Sequence, residues 1–140
     1  MKQTSNVVSF FIFPAFVFLI HLTASKILNL YTIFPNMDIP FHYIGGLSIG
    51  YSSAQILSYL EKEKFTARHN RVIFTVLIIS LTATAAVFWE FAEFIGDQLW
   101  QTNIQVSLAN TMQDQFLGVL GGMTIAYRYY KKPKTDPLSS

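Results

Sequence analysis

Half of the 140 residues are hydrophobic and only 13% are charged, a balance too apolar for an ordinary soluble domain of this length. The absence of cysteine excludes disulfide staples, thiolate metal sites and cysteine nucleophiles. A formal net charge of +2, with the basic residues beside apolar segments, sets nucleic-acid binding aside and leaves a lipid bilayer as the natural solvent.

Four stretches are apolar enough, and near enough to the roughly 20 helical residues that a hydrocarbon core requires, to read as spans. The first covers roughly 7–30. Lys2 before it and HLTAS within it loosely resemble a secretory signal, whose cleavage would leave three spans, but the run continues through ILNLY to spanning length. After YTIFPNMD comes a second span at roughly 39–60, after EKEKFTARHNR a third at roughly 72–96, and after DQLWQTNIQ a fourth at roughly 106–127. Connectors this short favour antiparallel neighbours, so the expected fold is all-α: a four-span transmembrane helix bundle of up-down topology. Residues 1–130 form that single domain, and residues 131–140, KKPKTDPLSS, a polar cytoplasmic tail expected to be disordered.

Loop charge sets the orientation, because Lys and Arg accumulate on the cytoplasmic side. Lys62, Lys64, Arg68 and Arg71 lie between the second and third spans, and Arg128, Lys131, Lys132 and Lys134 follow the fourth. Lys2 agrees with both groups, while the loops around Phe34 and Trp100 carry no basic residue and Lys26 lies near the end of the first span. Both termini are therefore expected to be cytoplasmic, in a multi-pass protein of the cytoplasmic (inner) membrane. Tyr127, Tyr129 and Tyr130 serve as the inner interfacial anchor and Trp100 as the outer one.

Against that topology the intramembrane polar residues all fall in the outer half. At about 1.5 Å of rise per residue, Glu90 and Glu93 of FWEFAEFIGD lie roughly 5 to 10 Å inside the outer boundary. Asp38 sits at the rim, His42 one turn deeper, Asp114 below Asn110 on the fourth span, and His21 at a similar level on the first. Glu90, Glu93 and Asp97 share one helix face, as do Asp38 with His42 and Asn110 with Asp114. The same faces continue inward as Gly45, Gly46 and Gly50, and as Gly118, Gly121 and Gly122, where small residues let helices approach closely in lipid. The expectation is an acidic pocket open to the outside and closed below.

Buried carboxylates with no arginine nearby need protons or a metal cation to neutralise them. Carboxylate oxygens with one or two imidazoles suit Zn, Mn, Fe or Mg. The candidate metal ligands are His42, Glu90, Glu93, Asp114 and Asp38, with Glu90, Glu93 and Asp114 as candidate catalytic groups and His21, Asn110 and Asp97 around them. Plainer roles exist for several of these. Asp38 before Pro40 reads as a helix cap, His21 as a partner to a neighbouring helix, Asp97 as a solvated interfacial residue, and Asn110 as a cap or an interhelical hydrogen-bond partner. There is no phosphate-binding glycine loop, GxSxG elbow or HExxH, and the Glu90/Glu93 pair departs from the Glu-x-x-His of di-iron bundles.

DIPFHYIGG, WEFAEF and NTMQDQFLGVLGG resemble the three motif regions of the small YjdF-like inner-membrane proteins, and more loosely those of VanZ-like membrane proteins. The likeness covers the last three spans, and the first matches in hydrophobicity alone. It implies a polytopic membrane protein with Asp38, His42, Glu90, Glu93 and Asp114 in the motif positions, and, from the VanZ-like side, a link to glycopeptide resistance and the cell envelope. Asn110 is a departure, since the YjdF-like pattern has Asp one turn before the second Asp, and its loss weakens a two-metal site more than a one-metal site. Three functions follow for the chain: a metal-dependent enzyme (a hydrolase or transferase) acting on a lipid or envelope substrate, a proton- or cation-coupled binding or transport protein, and a non-catalytic assembly protein whose buried polar groups specify helix pairing. A homo-oligomer is compatible with each.

Overall fold

The structure, a computed structural model, describes residues 7–24, 28, 33–102 and 104–131. Lys2, Lys26, Lys132, Lys134, residues 25–27 and 29–30 of the first expected span and the tail from 132 lie outside the described residues. Within them the chain is all-α, with no strand.

A 3-10 turn, Val7–Phe11, leads into α1, Ile12–Leu22, whose Pro14 lies in the first turn, where a missing N–H costs nothing. A second 3-10 turn, Pro35–Met37, leads into α2, Asp38–Lys62, again with proline, Pro40, in the first turn. α2 ends where Lys64 takes a left-handed conformation (φ 61°) and the Phe65 N–H reaches the Leu60 carbonyl at 2.9 Å. Asn70 then caps α3, Arg71–Trp100, its Oδ1 accepting from the Ile73 N–H at 2.9 Å. α3 stops at Gln101, also left-handed. Ser107 opens α4, Leu108–Lys131, by accepting the Asn110 N–H on its hydroxyl at 3.1 Å.

The contacts fix the running directions. Gly46 and Gly50 of α2 meet Gly118 and Gly122 of α4 in that order, so these two helices are parallel. Ala86 faces Gly118 and Thr82 faces Gly122, so α3 runs antiparallel to both. α1 is antiparallel to α2, with Phe13 on Tyr51 and His21 on Phe41.

The interior is made mostly of small or polar residues, Gly46, Ser48, Gly50, Ser52, Ser53 and Ala54 on α2, Thr82 on α3, Gly118, Gly121, Gly122 and Ala126 on α4, with Leu57 and Ile78 as larger apolar members between Ala54 and Ala126. Large apolar side chains such as Phe16, Phe88, Phe94 and Phe116 are exposed instead. This inverts the arrangement of a water-soluble core and matches helices that associate by close packing in lipid. The buried hydroxyls satisfy themselves on their own helices, Ser48 on the Gly45 carbonyl, Ser52 on Ser48 and Thr82 on Ile78, at 2.7 to 3.0 Å. A methyl on Gly46 or Gly121 would overlap the backbone of the facing helix, and one on Gly122 would lie 2.6 Å from Thr82.

α3, with 30 residues and about 45 Å of rise, is the one described helix whose length and composition suffice to cross a bilayer, and Val8–Leu22 is a shorter apolar helix. α2 and α4 are less apolar because their inward faces are glycine, serine and acid. Charge divides the molecule into two ends. All described Lys and Arg, with Glu61 and Glu63, lie at the end of α2, the start of α3 and the end of α4, whereas Asp38, Glu90, Glu93, Asp97 and Asp114 lie at the other end.

Candidate functional site

At the acidic end, α2 and α4 enter side by side and bring one polar turn each to the same level. His42 Nε2 stands 3.2 Å from Asp38 Oδ1 on its own helix and 3.8 Å from Asp114 Oδ2 on α4. Asn110 Nδ2 donates to Asp38 Oδ2 across the same interface at 3.4 Å. Asp38 thus turns away from the capping role: no side chain caps α2, and its carboxylate faces inward. One donor atom each from Asp38, His42 and Asp114 falls within 4.8 Å of the others.

Burial increases toward α4. The Asp38 side chain is 23% exposed, His42 10% and Asp114 2%. Asp114 Oδ1 has no hydrogen-bond partner although it is shielded from solvent. An orphaned, buried carboxylate oxygen is expensive unless something outside the chain satisfies it. Among the described residues no Lys or Arg lies at this end.

Glu90 and Glu93 come from α3, outside the tight three-residue group. Glu90 is 3% exposed and is held by a residue that periodicity gave no reason to single out: Gln105, in the loop before α4, donates from Nε2 to Glu90 Oε2 at 3.1 Å and to its backbone carbonyl at 3.0 Å. Glu90 Oε1 is the second buried oxygen left without a partner. Glu93 accepts from Trp89 Nε1 at 2.7 Å, one helical turn back. That pairing was legible as i, i+4 spacing, whereas the Gln105 contact depends on how the loop folds over.

Asp97 determines that fold. Its Oδ1 accepts from Thr102 Oγ1 and the Ile104 N–H, both at 2.7 Å, and its Oδ2 from the Gln105 N–H at 2.9 Å. It is a loop anchor beyond the site, which differs from the solvated role that its interfacial position favoured. His21 lies beside the site, edge-on to Phe41 at 5.2 Å and to Trp89 at 5.8 Å.

An open vestibule leads to this group, with Asp38, Glu93, Asn110, Asn36, Thr102 and Gln113 among its polar walls. Below Asp114 the glycine contacts close α2, α3 and α4 against one another. On the α1 side closure is incomplete, and an apolar cavity of about 150 Å³ remains between α1 and the other helices.

An inverted interior, apolar flanks and an acid cluster at one end define a helical membrane protein. The chain belongs to the family described as predicted membrane protein (DUF2238), whose profile matches residues 3–133. No curated protein and no solved structure matches it. At the level of a membrane family this agrees with the resemblance carried by DIPFHYIGG, WEFAEF and NTMQDQFLGVLGG.

Proposed function

We propose that the chain crosses the cytoplasmic membrane four times with both termini inside, and that the acidic end faces outward as a divalent-metal site of an enzyme acting on a lipid or envelope substrate. The orphaned Asp114 Oδ1, buried beside His42 and Asp38, carries this reading. The residues come close to the spacing a metal needs: donors sharing one ion at 2.0–2.2 Å stand up to about 4.4 Å apart, His42 lies 3.2 and 3.8 Å from its two carboxylate neighbours, and one donor atom of each residue falls within 4.8 Å of the others. Asp38, His42 and Asp114 would hold it, and the oxygen and nitrogen donor set suits Zn, Mn, Fe or Mg. Such an ion supplies a water of lowered pKa and a Lewis acid for a carbonyl or phosphoryl oxygen.

Glu93 lines the vestibule and is oriented by Trp89, so it is placed to take a proton from a group entering there. Glu90 lies behind it, fixed by Gln105. The YjdF-like and VanZ-like likenesses favour an envelope setting. Ion conduction is less well supported, because the glycine contacts close the three-helix core and its serines bond their own backbone.

Metal content by inductively coupled plasma mass spectrometry on the detergent-purified chain tests the reading. One ion per chain is expected, lost in His42→Ala and in Asp114→Asn. A folded protein that takes up no divalent ion would leave the Asp38–Asn110 and His42–Asp114 contacts as devices for pairing α2 with α4.

A further inference from the structure

The cavity of about 150 Å³ between α1 and the other helices borders the proposed metal site, since His42 belongs to both. Its wall is nearly all apolar, with Val17, Phe18, Phe41, Ile49 and Ala85 among the lining residues. It meets the polar vestibule at Phe18, His21 and Trp89, which line both spaces. The two spaces therefore abut at these packed rings, polar above and apolar below, with Asp38 on the wall of the upper one and His42 on the wall of the lower.

Gly45 shows that the cavity is not a packing accident of the glycine face. A Cβ on Gly46, Gly121 or Gly122 would run into backbone or Thr82, so helix approach explains those glycines. A Cβ on Gly45 would meet nothing within 4 Å, and Gly45 lines the cavity. Helix packing does not require glycine there; its effect is to keep the space open. Water is a poor occupant, because it needs two to four polar partners, the wall is nearly all apolar, and the one proton of the nearby Ser48 hydroxyl is already donated to the Gly45 carbonyl at 2.7 Å.

We propose that this cavity takes the first alkyl or isoprenyl segment of a lipid whose phosphate headgroup sits at Asp38, His42 and Asp114, so that the substrate class is a phospholipid-type amphiphile. The inference rests on the metal reading of the preceding section. With no described Lys or Arg at this end, a phosphate among these carboxylates requires a cation to bridge it, and a divalent ion provides that complementarity. The size fits a short segment: an engineered protein cavity of about 150 Å³ accommodates benzene. The rest of the chain leaves toward the bilayer, since the cavity is partly open and α1 leans on α2, meeting α3 through the rings of Phe18 and His21 against Trp89.

The test measures metal content and lipid affinity together on the metal-loaded, detergent-purified chain, using short-chain phosphatidic acid, the matching diacylglycerol and inorganic phosphate as probes. Phosphatidic acid is expected to bind at least tenfold more tightly than either of the others, and Gly45→Leu to abolish that advantage over inorganic phosphate while metal content stays at the wild-type level. Gly45→Ala, the milder change, should weaken phosphatidic acid binding in part. Wild-type affinity in a Gly45→Leu protein that retains its metal overturns the lipid inference and leaves the metal reading standing, as does diacylglycerol binding equal to that of phosphatidic acid. Absence of metal from the wild-type chain overturns the metal reading, and this inference with it.

Discussion

His42 on α2 and Asp114 on α4 face each other at 3.8 Å, and each is followed one turn later by a glycine, Gly46 and Gly118, where the two backbones touch. The glycine contact sets the separation of the helices, and that separation sets the distance between the polar side chains above it. A methyl group at position 46 would overlap the Gly118 carbonyl, so the helices must part. Gly46→Ala is expected to cost about 1–3 kcal/mol through overpacking and to lower metal affinity by moving His42 from Asp114. Gly45→Ala, the neighbouring change, meets no atom and should keep or raise stability, by up to about 1 kcal/mol from the helix preference of Ala over Gly. Thermal unfolding of both variants in detergent checks the contrast, and equal losses would refute it.

On the proposed metal reading, chelation should act through Asp38, His42 and Asp114. An ion bound at 100 times its dissociation constant stabilises the folded chain by about 2.7 kcal/mol, so chelation should lower the wild-type melting temperature by several degrees. Asp114→Asn should show no chelator effect. It should also unfold no earlier than the chelated wild type, since it replaces a buried carboxylate that has an unpartnered oxygen.

The sequence makes much of this arrangement legible and leaves a specific part hidden. Asp38 with His42, Asn110 with Asp114, and the glycines below them follow helical phase, which local spacing encodes directly. The position of Asp97 pointed to solvent instead, because the loop hydrogen bonds from Thr102, Ile104 and Gln105 have no periodic signature. Gln105 on Glu90 was hidden for the same reason. The expected closure beneath the site is realised among α2, α3 and α4, where glycines mark it, and is incomplete at α1, where bulky Phe18 and Trp89 meet ring to ring.

Gln105→Ala removes both bonds to Glu90 and leaves its buried carboxylate with fewer partners. The expected cost is about 1–3 kcal/mol, with metal content unchanged, because Gln105 touches none of Asp38, His42 and Asp114 in the hydrogen bonds it makes. A double variant, Gln105→Ala with Glu90→Leu, should recover part of the loss, because no buried charge is then left unsatisfied. Chemical denaturation of the wild type, both single variants and the double variant provides the comparison, and additive losses in the double variant would count against the coupling.

Asp97→Ala should reach the site indirectly. Three donors lose their acceptor, two of them the backbone groups that present Gln105. Its cost is expected to be about 2 kcal/mol, moderated by exposure of the loop, and most of the penalty of a subsequent Gln105→Ala change should vanish. A thermodynamic cycle over the two positions measures that coupling.

The orientation is testable with unusual clarity because the chain has no cysteine. Phe65 lies in the loop between α2 and α3 at the basic end and is 73% exposed, and Thr102 lies at the acidic end, beyond α3, also exposed. Single Phe65→Cys and Thr102→Cys variants place one thiol at each end. In intact cells a membrane-impermeant maleimide should label Thr102→Cys and spare Phe65→Cys until the membrane is opened, because basic loops such as the one with Lys62, Lys64, Arg68 and Arg71 favour the cytoplasmic side. The reverse pattern would put the acidic site on the cytoplasmic face and remove any outer-leaflet substrate from consideration. Labelling of both thiols in sealed cells would mean that α3 does not cross the membrane, despite being the one described helix whose length and composition suffice for it.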